Sequence, residues 1–128
     1  MRVPCRFLLP LWSMPSRVES ERPHFPPGRP PRFRATVHGT IFAGRERHLS
    51  TLQPGDPVAL IPDPPGQEEP DVWVHLASGE PLGHLPSEIG AWLAPWLLGG
   101  GGATASVLRA SGPEVPSWRR LLLEVRCR

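Results

Sequence analysis

The stretch "DVWVHLASGEPLGHLPSEIGAWLAPWLLGGGG", residues 71–102, decides the fold because its periodicity changes once, from that of strands to that of a helix. "DVWVHLA" and "PLGHLP" predict two strands, and the "SGE" between them has the length and residue types of a hairpin turn. The alternation in the first strand allows two inward faces, either Val72, Val74 and Leu76 or Trp73 and His75. A β-hairpin followed directly by a helix is therefore expected.

The helix is predicted over residues 87–98. Its apolar side chains recur at helical spacing and form one stripe: Ile89, Trp92, Leu93, Trp96 and Leu97. The two tryptophans of this stripe are expected core residues. Ser87 is the expected N-cap, and Pro95 is expected to kink or loosen the helix because it removes a backbone hydrogen bond. The glycines at 99–102 follow the helix, so they predict a C-cap and turn and exclude a phosphate-binding loop.

Strands are also predicted on both sides of this stretch. They are "RFRATVHG" (32–39), "DPVALIPD" (56–63), "TASVLRAS" (104–111) and "RRLLLEVRC" (119–127), with a short helical turn near residues 48–52. The last strand places Leu121, Leu123, Val125 and Cys127 on one face. Six short strands with one helix between the fourth and fifth predict a mainly β protein, a small closed or nearly closed barrel.

Charge divides the chain into three parts. Residues 1–50 hold nine arginines and three glutamates, residues 51–103 hold seven acids and no basic residue, and residues 104–128 hold five arginines and two glutamates. Residues 1–31 are rich in proline and arginine and predict a disordered tail, with the folded domain at 32–128. Three interpretations of the tail are open: a linker, translated sequence upstream of a later start such as Met14, or a basic arm that lies along a polyanion.

The composition of the chain bears on where in the cell the protein is expected. No stretch approaches the roughly 20 apolar residues of a membrane span. The apolar run from Phe7 to Trp12 is unlike a secretory signal, because Pro10 breaks it, Arg6 lies too close to it and no Ala-x-Ala-like cleavage site follows. The two cysteines, Cys5 and Cys127, lie at opposite ends and form neither a disulfide framework nor a CxxC metal site. A cytoplasmic protein is expected.

No catalytic constellation is present in the sequence pattern. The five histidines include no pair at metal-ligand spacing, and no nucleophile signature occurs. The carboxylates Glu68, Glu69 and Asp71 are typical of a solvated turn. We therefore expect no catalytic residues, no metal and no cofactor, and the protein is not expected to be an enzyme.

Phe42 differs from the other aromatic residues because it lies in a loop, shortly after Gly39 and before Arg45 and Arg47. An aromatic ring beside guanidinium groups can stack on a nucleobase while the arginines hold phosphates. A loop phenylalanine that packs back onto the barrel is the alternative.

Taken in order, "TVHGTIFAGRERHLSTLQPGDPVALIPDPP" (36–65) and "VWVHLASGEPLGHLPSEIGAWLAPWL" (72–97) resemble a HIRAN domain. The resemblance runs from about Ala35 to Arg126 and includes the Val-x-Gly opening strand, "LQPGDPVAL" and the Gly-His-Leu-Pro step. It implies an OB-like barrel that binds the 3′ end of single-stranded DNA in DNA repair and replication-fork processing. The short chain is similar to the small stand-alone members of bacteria.

The resemblance carries over to some binding residues and not to others. Phe42 fills one aromatic place of the end-binding pocket, while Ile41 stands where end-binding members have a basic or aromatic residue. In the family's Asn-Pro-Tyr-Asp-x-Asn-Ala loop, Glu69 stands in place of the aspartate and Asp71 in place of the second asparagine. His84 matches the family's histidine. Fewer aromatic faces and more acid imply weak DNA binding, at about 1–3 kcal/mol per lost stacking partner.

Two hypotheses follow. In the first, the protein is a DNA-binding module in which Phe42 stacks on a terminal base and Glu69 accepts a hydrogen bond from the 3′-hydroxyl. Gly39 and His84 shape the pocket, and phosphates are neutralised by Arg32, Arg34, Arg45 and Arg47. In the second, the barrel persists as a degenerate HIRAN-like protein-interaction module that acts with a helicase or nuclease.

Overall fold

The computed structural model describes residues 24–128, and in this part six strands form one antiparallel sheet. The strands are β1 (Arg32–Thr36), β2 (Pro57–Pro62), β3 (Val72–Leu76), β4 (Pro81–His84), β5 (Ala103–Ala110) and β6 (Leu121–Cys127). Helix α1 (Ser87–Leu98) lies between β4 and β5, and two 3-10 helices span Phe42–Thr51 and Ser117–Arg119. The predicted mainly β, OB-like architecture with one inserted helix is confirmed.

The sheet curls into a half-barrel whose two edge strands meet. Its order is β1-β6-β5-β2-β3-β4, and bulges interrupt the β3–β4 pair after Val74 and the β5–β6 pair after Val107. Such bulges bend strands and increase their twist. As a result, His38, just beyond β1, exchanges backbone hydrogen bonds of 2.8 and 2.9 Å with His84 at the end of β4. We call this junction the seam.

Gly83 permits the close approach at the seam. A Cβ atom at this position would overlap the carbonyl oxygen of His38 and the side chain of Val37. Only glycine leaves room for the backbone of one edge strand to pass so near the other. The Gly-His step of the sequence is therefore a requirement of the fold as well as part of the motif.

The core lies inside the curl and follows the period-2 pattern of the strands. The predicted inward face of β6 is confirmed, since Leu121, Leu123, Val125 and Cys127 are all buried. In β3 the valines Val72 and Val74 are fully buried, which leaves Trp73 on the outer face. Of the two inward faces that the β3 sequence allows, the structure has the one that contains the valines.

Helix α1 covers one side of the sheet and ends as predicted. It runs through Pro95 to Leu98, and Trp96 is buried. The predicted N-cap at Ser87 is wrong: Pro86 occupies the cap position without a side-chain hydrogen bond, and Ser87 is the first helical residue. After the helix, the backbone of Gly101 lies against the Trp96 indole, where a Cβ would overlap the ring.

The predicted helical turn near 48–52 belongs to a longer 3-10 segment that begins at Phe42. Ala43 and Gly44 adopt φ values of 55° and 73°, so the chain reverses there before the helical turns continue. This left-handed conformation is costly for alanine and is not readable from the residue pattern. Leu49 and Leu52 are buried and anchor the segment on the barrel.

The packed part of the chain starts before β1. Within the sequence predicted to be a tail, residues 24–31 are described, and the rest of that prediction lies outside the described residues. The Phe25 ring packs edge-on against Trp92 and Trp96, with centroid distances of 5.6 and 5.3 Å. The Pro31 carbonyl accepts a hydrogen bond from the Cys127 N–H. These contacts tie residues 24–31 to the helix and the last strand.

Replacing Phe25 by Ala is expected to destabilise the protein by about 1–3 kcal/mol, because two edge-on aromatic pairs are worth about 0.5–1.5 kcal/mol each. Urea unfolding followed by tryptophan fluorescence measures the effect. Phe42→Ala is the matched control, since the Phe42 side chain is 63% exposed. Equal stability of both variants would show that Phe25 adds nothing to the fold.

Replacing Gly83 by Ala is expected to disrupt the seam, because the methyl group has no space beside His38 and Val37. Overpacking of this kind costs about 1–3 kcal/mol. Gly102→Ala is the control, because its Cβ would make only an ordinary contact with the Arg128 carbonyl. The prediction fails if the thermal midpoint of G83A stays at that of G102A.

Candidate nucleic-acid interface

Four side chains form a row across the outer face of three neighbouring strands and of His38, just beyond β1. Register pairs Ile61 of β2 with Trp73 of β3, Trp73 with His84 of β4, and His84 with His38 across the seam. The ring centroids of Trp73 and His84 are 5.4 Å apart, and those of His84 and His38 are 6.1 Å apart. We call these residues the outer-face row. The row contains one aliphatic side chain, Ile61, and three ring side chains.

Arg45 reaches the row from the first 3-10 helix. The reversal at Ala43 and Gly44 turns the chain back, so that the Arg45 Nη1 donates a 2.9 Å hydrogen bond to the Gly39 carbonyl. Its guanidinium carbon lies 5.2 Å from the centroid of the Trp73 ring. The buried Nε atom has no acceptor among the described residues. Stacking on Trp73 and the bond to Gly39 therefore hold the guanidinium in place.

His84 has one ring nitrogen committed to the fold. Its Nδ1 lies 3.1 Å from the Leu85 carbonyl, and because a carbonyl only accepts, Nδ1 donates in this contact. The other edge of the imidazole faces the backbone of Gly39. The structure thus brings Gly39, Arg45 and His84 together, three residues that the sequence singles out. Across the seam, the His38 Nε2 contacts the Thr36 hydroxyl at 3.3 Å.

Phe42 projects into solvent beside this group. Its side chain is 63% exposed and that of Ile41 is 43% exposed, so the alternative in which Phe42 packs back onto the barrel does not hold. The Phe42 N–H donates a 3.3 Å hydrogen bond to the Gly39 carbonyl, which fixes the Phe42 backbone near the seam. An exposed aromatic ring on an anchored backbone is suited to stacking on a flat ligand.

The remaining candidate arginines lie in different electrostatic surroundings. Arg32 forms a 2.8 Å ion pair with Glu124, which Arg126 also contacts at 3.2 Å. The hydrogen bond from Arg32 is the main cause that lowers the pKa of the Glu124 carboxyl below its usual range. Arg34 and Arg47 are exposed. Arg32 therefore shares its charge with a carboxylate, while Arg34 and Arg47 lie open to solvent.

Glu69 and Asp71 are the two acidic residues of the predicted pocket. Glu69 is exposed in the loop of residues 63–71, and the N–H of Asp71 donates to the Asp63 carboxylate at 2.9 Å. The backbone next to Asp71 packs against Gly90 of helix α1. The contacts of the described residues join neither carboxylate to Phe42 or His84. The acidic residues of the predicted pocket are thus placed beside the helix.

The described residues offer little for metal or nucleophilic chemistry. They contain no group of three or more histidine, cysteine or acidic side chains that could hold a metal ion. Burial raises the pKa of the Cys127 thiol, which disfavours the reactive thiolate. Across residues 24–128, every helix is too short or too polar to cross a membrane.

Trp73 and His38 complete the group and were not among the residues chosen from the sequence. A tryptophan between two buried valines is a usable signal, because Val72 and Val74 then place it outward. Its relation to Arg45 and His84 depends on strand register and on the reversal at Ala43. Neither feature can be read from spacing along the chain.

Comparison with protein-family models, with curated proteins and with solved structures finds no match to this chain. The resemblance to HIRAN domains therefore stays a prediction from the quoted motifs and their order. The described fold agrees with the small OB-like barrel that this resemblance implies.

Replacing Glu124 by Gln is expected to lower stability at neutral pH, because the lowered pKa shows that the folded state favours the charged carboxylate. The stabilisation exists above the pKa of the unfolded carboxyl, about 4.3, and is lost as the pH falls through the lower folded value. Urea unfolding from pH 7 down to about pH 3 should therefore show the two proteins converging at low pH. Glu69→Gln, at an exposed side chain without a described ion pair, is the control. A gap between wild type and E124Q that is constant over this range would contradict the assignment.

Proposed function

We propose that the protein is a nucleic-acid-binding module that holds single-stranded DNA on the outer-face row and the adjoining Phe42. The observation that carries the proposal is the Arg45 guanidinium held over the Trp73 ring, with His84 and the exposed Phe42 beside it. The outer surface of OB-like barrels is a common place for oligonucleotides. The resemblance to HIRAN domains, through Phe42 and His84, supports the same ligand class.

In this proposal stacking supplies most of the contact energy. A base stacks on the open Phe42 ring, and a second base lies against the Trp73–Arg45 pair. The guanidinium can contact a phosphate while it stays stacked on the indole. Its face lies on the ring, and its N–H donors point outward in its own plane, where a phosphate can accept them. Arg47 and Arg34 contribute charge from exposed positions. Every base has a π face, so recognition by this surface is tolerant of sequence.

Capture of the 3′ end is the finer part of the proposal and comes from the resemblance. It requires an acceptor for the terminal hydroxyl, a role that the resemblance gives to Glu69. Because Glu69 lies on an exposed loop near the helix, end capture needs that loop to approach the bound strand. Single-strand binding does not need this movement. The two parts of the proposal are therefore separable by experiment.

Fluorescence anisotropy with labelled oligothymidylates of about 4–16 nucleotides tests the proposal. Trp73→Ala is expected to weaken binding by about 5- to 100-fold, since one stacking contact is worth about 1–3 kcal/mol. Arg45→Gln should weaken binding and reduce the slope of log affinity against log salt by about 0.7. Arg29→Gln is the matched control. The Arg29 guanidinium also lies over a tryptophan ring, 5.1 Å from the centroid of Trp92, but Trp92 belongs to helix α1 and is not part of the outer-face row.

Three outcomes divide the alternatives. If R45Q and R29Q behave alike, the outer-face row is not the binding site. Equal affinity for 3′-hydroxyl and 3′-phosphate ends removes end capture and leaves single-strand binding intact. Absence of any binding by the wild type overturns the module itself and favours the protein-interaction alternative with a helicase or nuclease. For that alternative, the groove of about 470 Å³ between the 63–71 loop and the end of α1 is one apolar surface that could receive a partner.

A further inference from the structure

Trp118 is a large aromatic side chain that the fold leaves in solvent. It lies in the second 3-10 helix, and its side chain is 53% exposed among the described residues. The guanidinium carbon of the neighbouring Arg119 lies 5.7 Å from the centroid of its ring. An exposed indole with a guanidinium beside it is a surface on which a flat ligand can stack.

Trp118 is held next to the loop that carries Phe42. The Thr40 side chain is fully buried, and its Oγ1 donates a 3.3 Å hydrogen bond to the Ser117 carbonyl. Close by, the Val37 N–H donates a 3.0 Å hydrogen bond to the Leu121 carbonyl. These bonds fix the second 3-10 helix against the chain between the seam and Phe42. Three of the five large apolar side chains exposed in residues 24–128 belong to these two loops: Ile41, Phe42 and Trp118.

We propose that Trp118 and Arg119 form a second stacking element for the same single strand. The inference rests on the proposed function and extends its site beyond the outer-face row. The two exposed rings stand on neighbouring segments, because Thr40, two residues before Phe42, is bonded to Ser117, one residue before Trp118. In this proposal a strand held at the seam and at Phe42 continues onto Trp118.

The charge around Trp118 fits a nucleic acid. The arrangement repeats that of Trp73 and Arg45, an indole ring with a guanidinium beside it at 5.7 and 5.2 Å respectively. Of the two nearby carboxylates, Glu46 lies 3.9 Å from the Arg120 guanidinium, and Glu114 packs against Gly112. Arg119 and Arg47 are exposed. The two 3-10 helices therefore carry two exposed aromatic rings, Phe42 and Trp118, and two exposed cations, Arg47 and Arg119.

The experiment compares a short and a long strand. Anisotropy titrations use oligothymidylates of about 4 and about 12 nucleotides with wild type, Trp118→Ala, Trp118→Phe and the control Leu98→Ala. Leu98 is 45% exposed at the far end of helix α1, so it matches Trp118 in being an exposed apolar side chain. W118A is expected to weaken binding of the long strand by about tenfold and to leave the short strand unchanged. W118F should retain most of the affinity, and thermal unfolding verifies that each variant is folded.

The outcomes separate this inference from the proposed function. If wild type binds both strands and W118A binds them equally well, the second element is overturned and the proposed function stands. Equal weakening of both lengths by W118A also overturns it, because Trp118 would then belong to the first site. If W118A changes self-association in size-exclusion chromatography but not DNA binding, the patch is a contact for a second copy. If wild type binds neither length, the proposed function and this extension both fail.

Discussion

Two backbone hydrogen bonds between His38 and His84 hold the edges of the sheet together, and much of the structure depends on them. Without this bridge the edge strands β1 and β4 would lie apart, and open sheet edges invite pairing with other chains. The junction forms only because Gly83 carries no side chain where the two backbones pass. It also brings the His38 imidazole next to that of His84, which lies beside Trp73. The constraint that closes the barrel therefore builds the centre of the candidate site.

The site inherits its rigidity from this arrangement. Trp73 and His84 stand on paired strands whose opposite faces pack into the core, so their positions are set by the buried valines behind them. Side chains on strands are held more accurately than side chains on free loops. Phe42 and Arg45 come from a loop, yet the Gly39 carbonyl accepts hydrogen bonds from both. A single backbone oxygen thus couples the loop residues to the strand residues.

Much of the fold could be predicted from the sequence, because its period changes sharply. The helix at Ser87–Leu98 and the inward face of β6 follow from apolar spacing alone. The site was harder to predict. Gly39, Arg45 and His84 were identified and do come together, but the contact of Trp73 with Arg45 depends on register and on the left-handed Ala43. Phe25 was assigned to the tail because proline-rich composition gives no sign of the aromatic cluster that receives it.

The distribution of charge explains why the candidate site exists only in the folded chain. Residues 51–103 supply Trp73 and His84 but contain seven acids and no basic residue, so this segment alone would repel a polyanion. The cation beside the Trp73 ring, Arg45, comes from the basic segment that precedes residues 51–103. Folding places the Arg45 guanidinium over the Trp73 ring. The ring thereby gains a neighbouring positive charge that residues 51–103, which contain no arginine or lysine, cannot supply. Among the acids of the middle segment, the Asp63 carboxylate accepts a hydrogen bond from the Asp71 N–H, and the Asp63 N–H donates to the Asp71 carbonyl. Pairing an aromatic ring from the acidic segment with a guanidinium from the basic segment therefore places a positive charge on a surface that the middle segment alone could not make attractive to a polyanion.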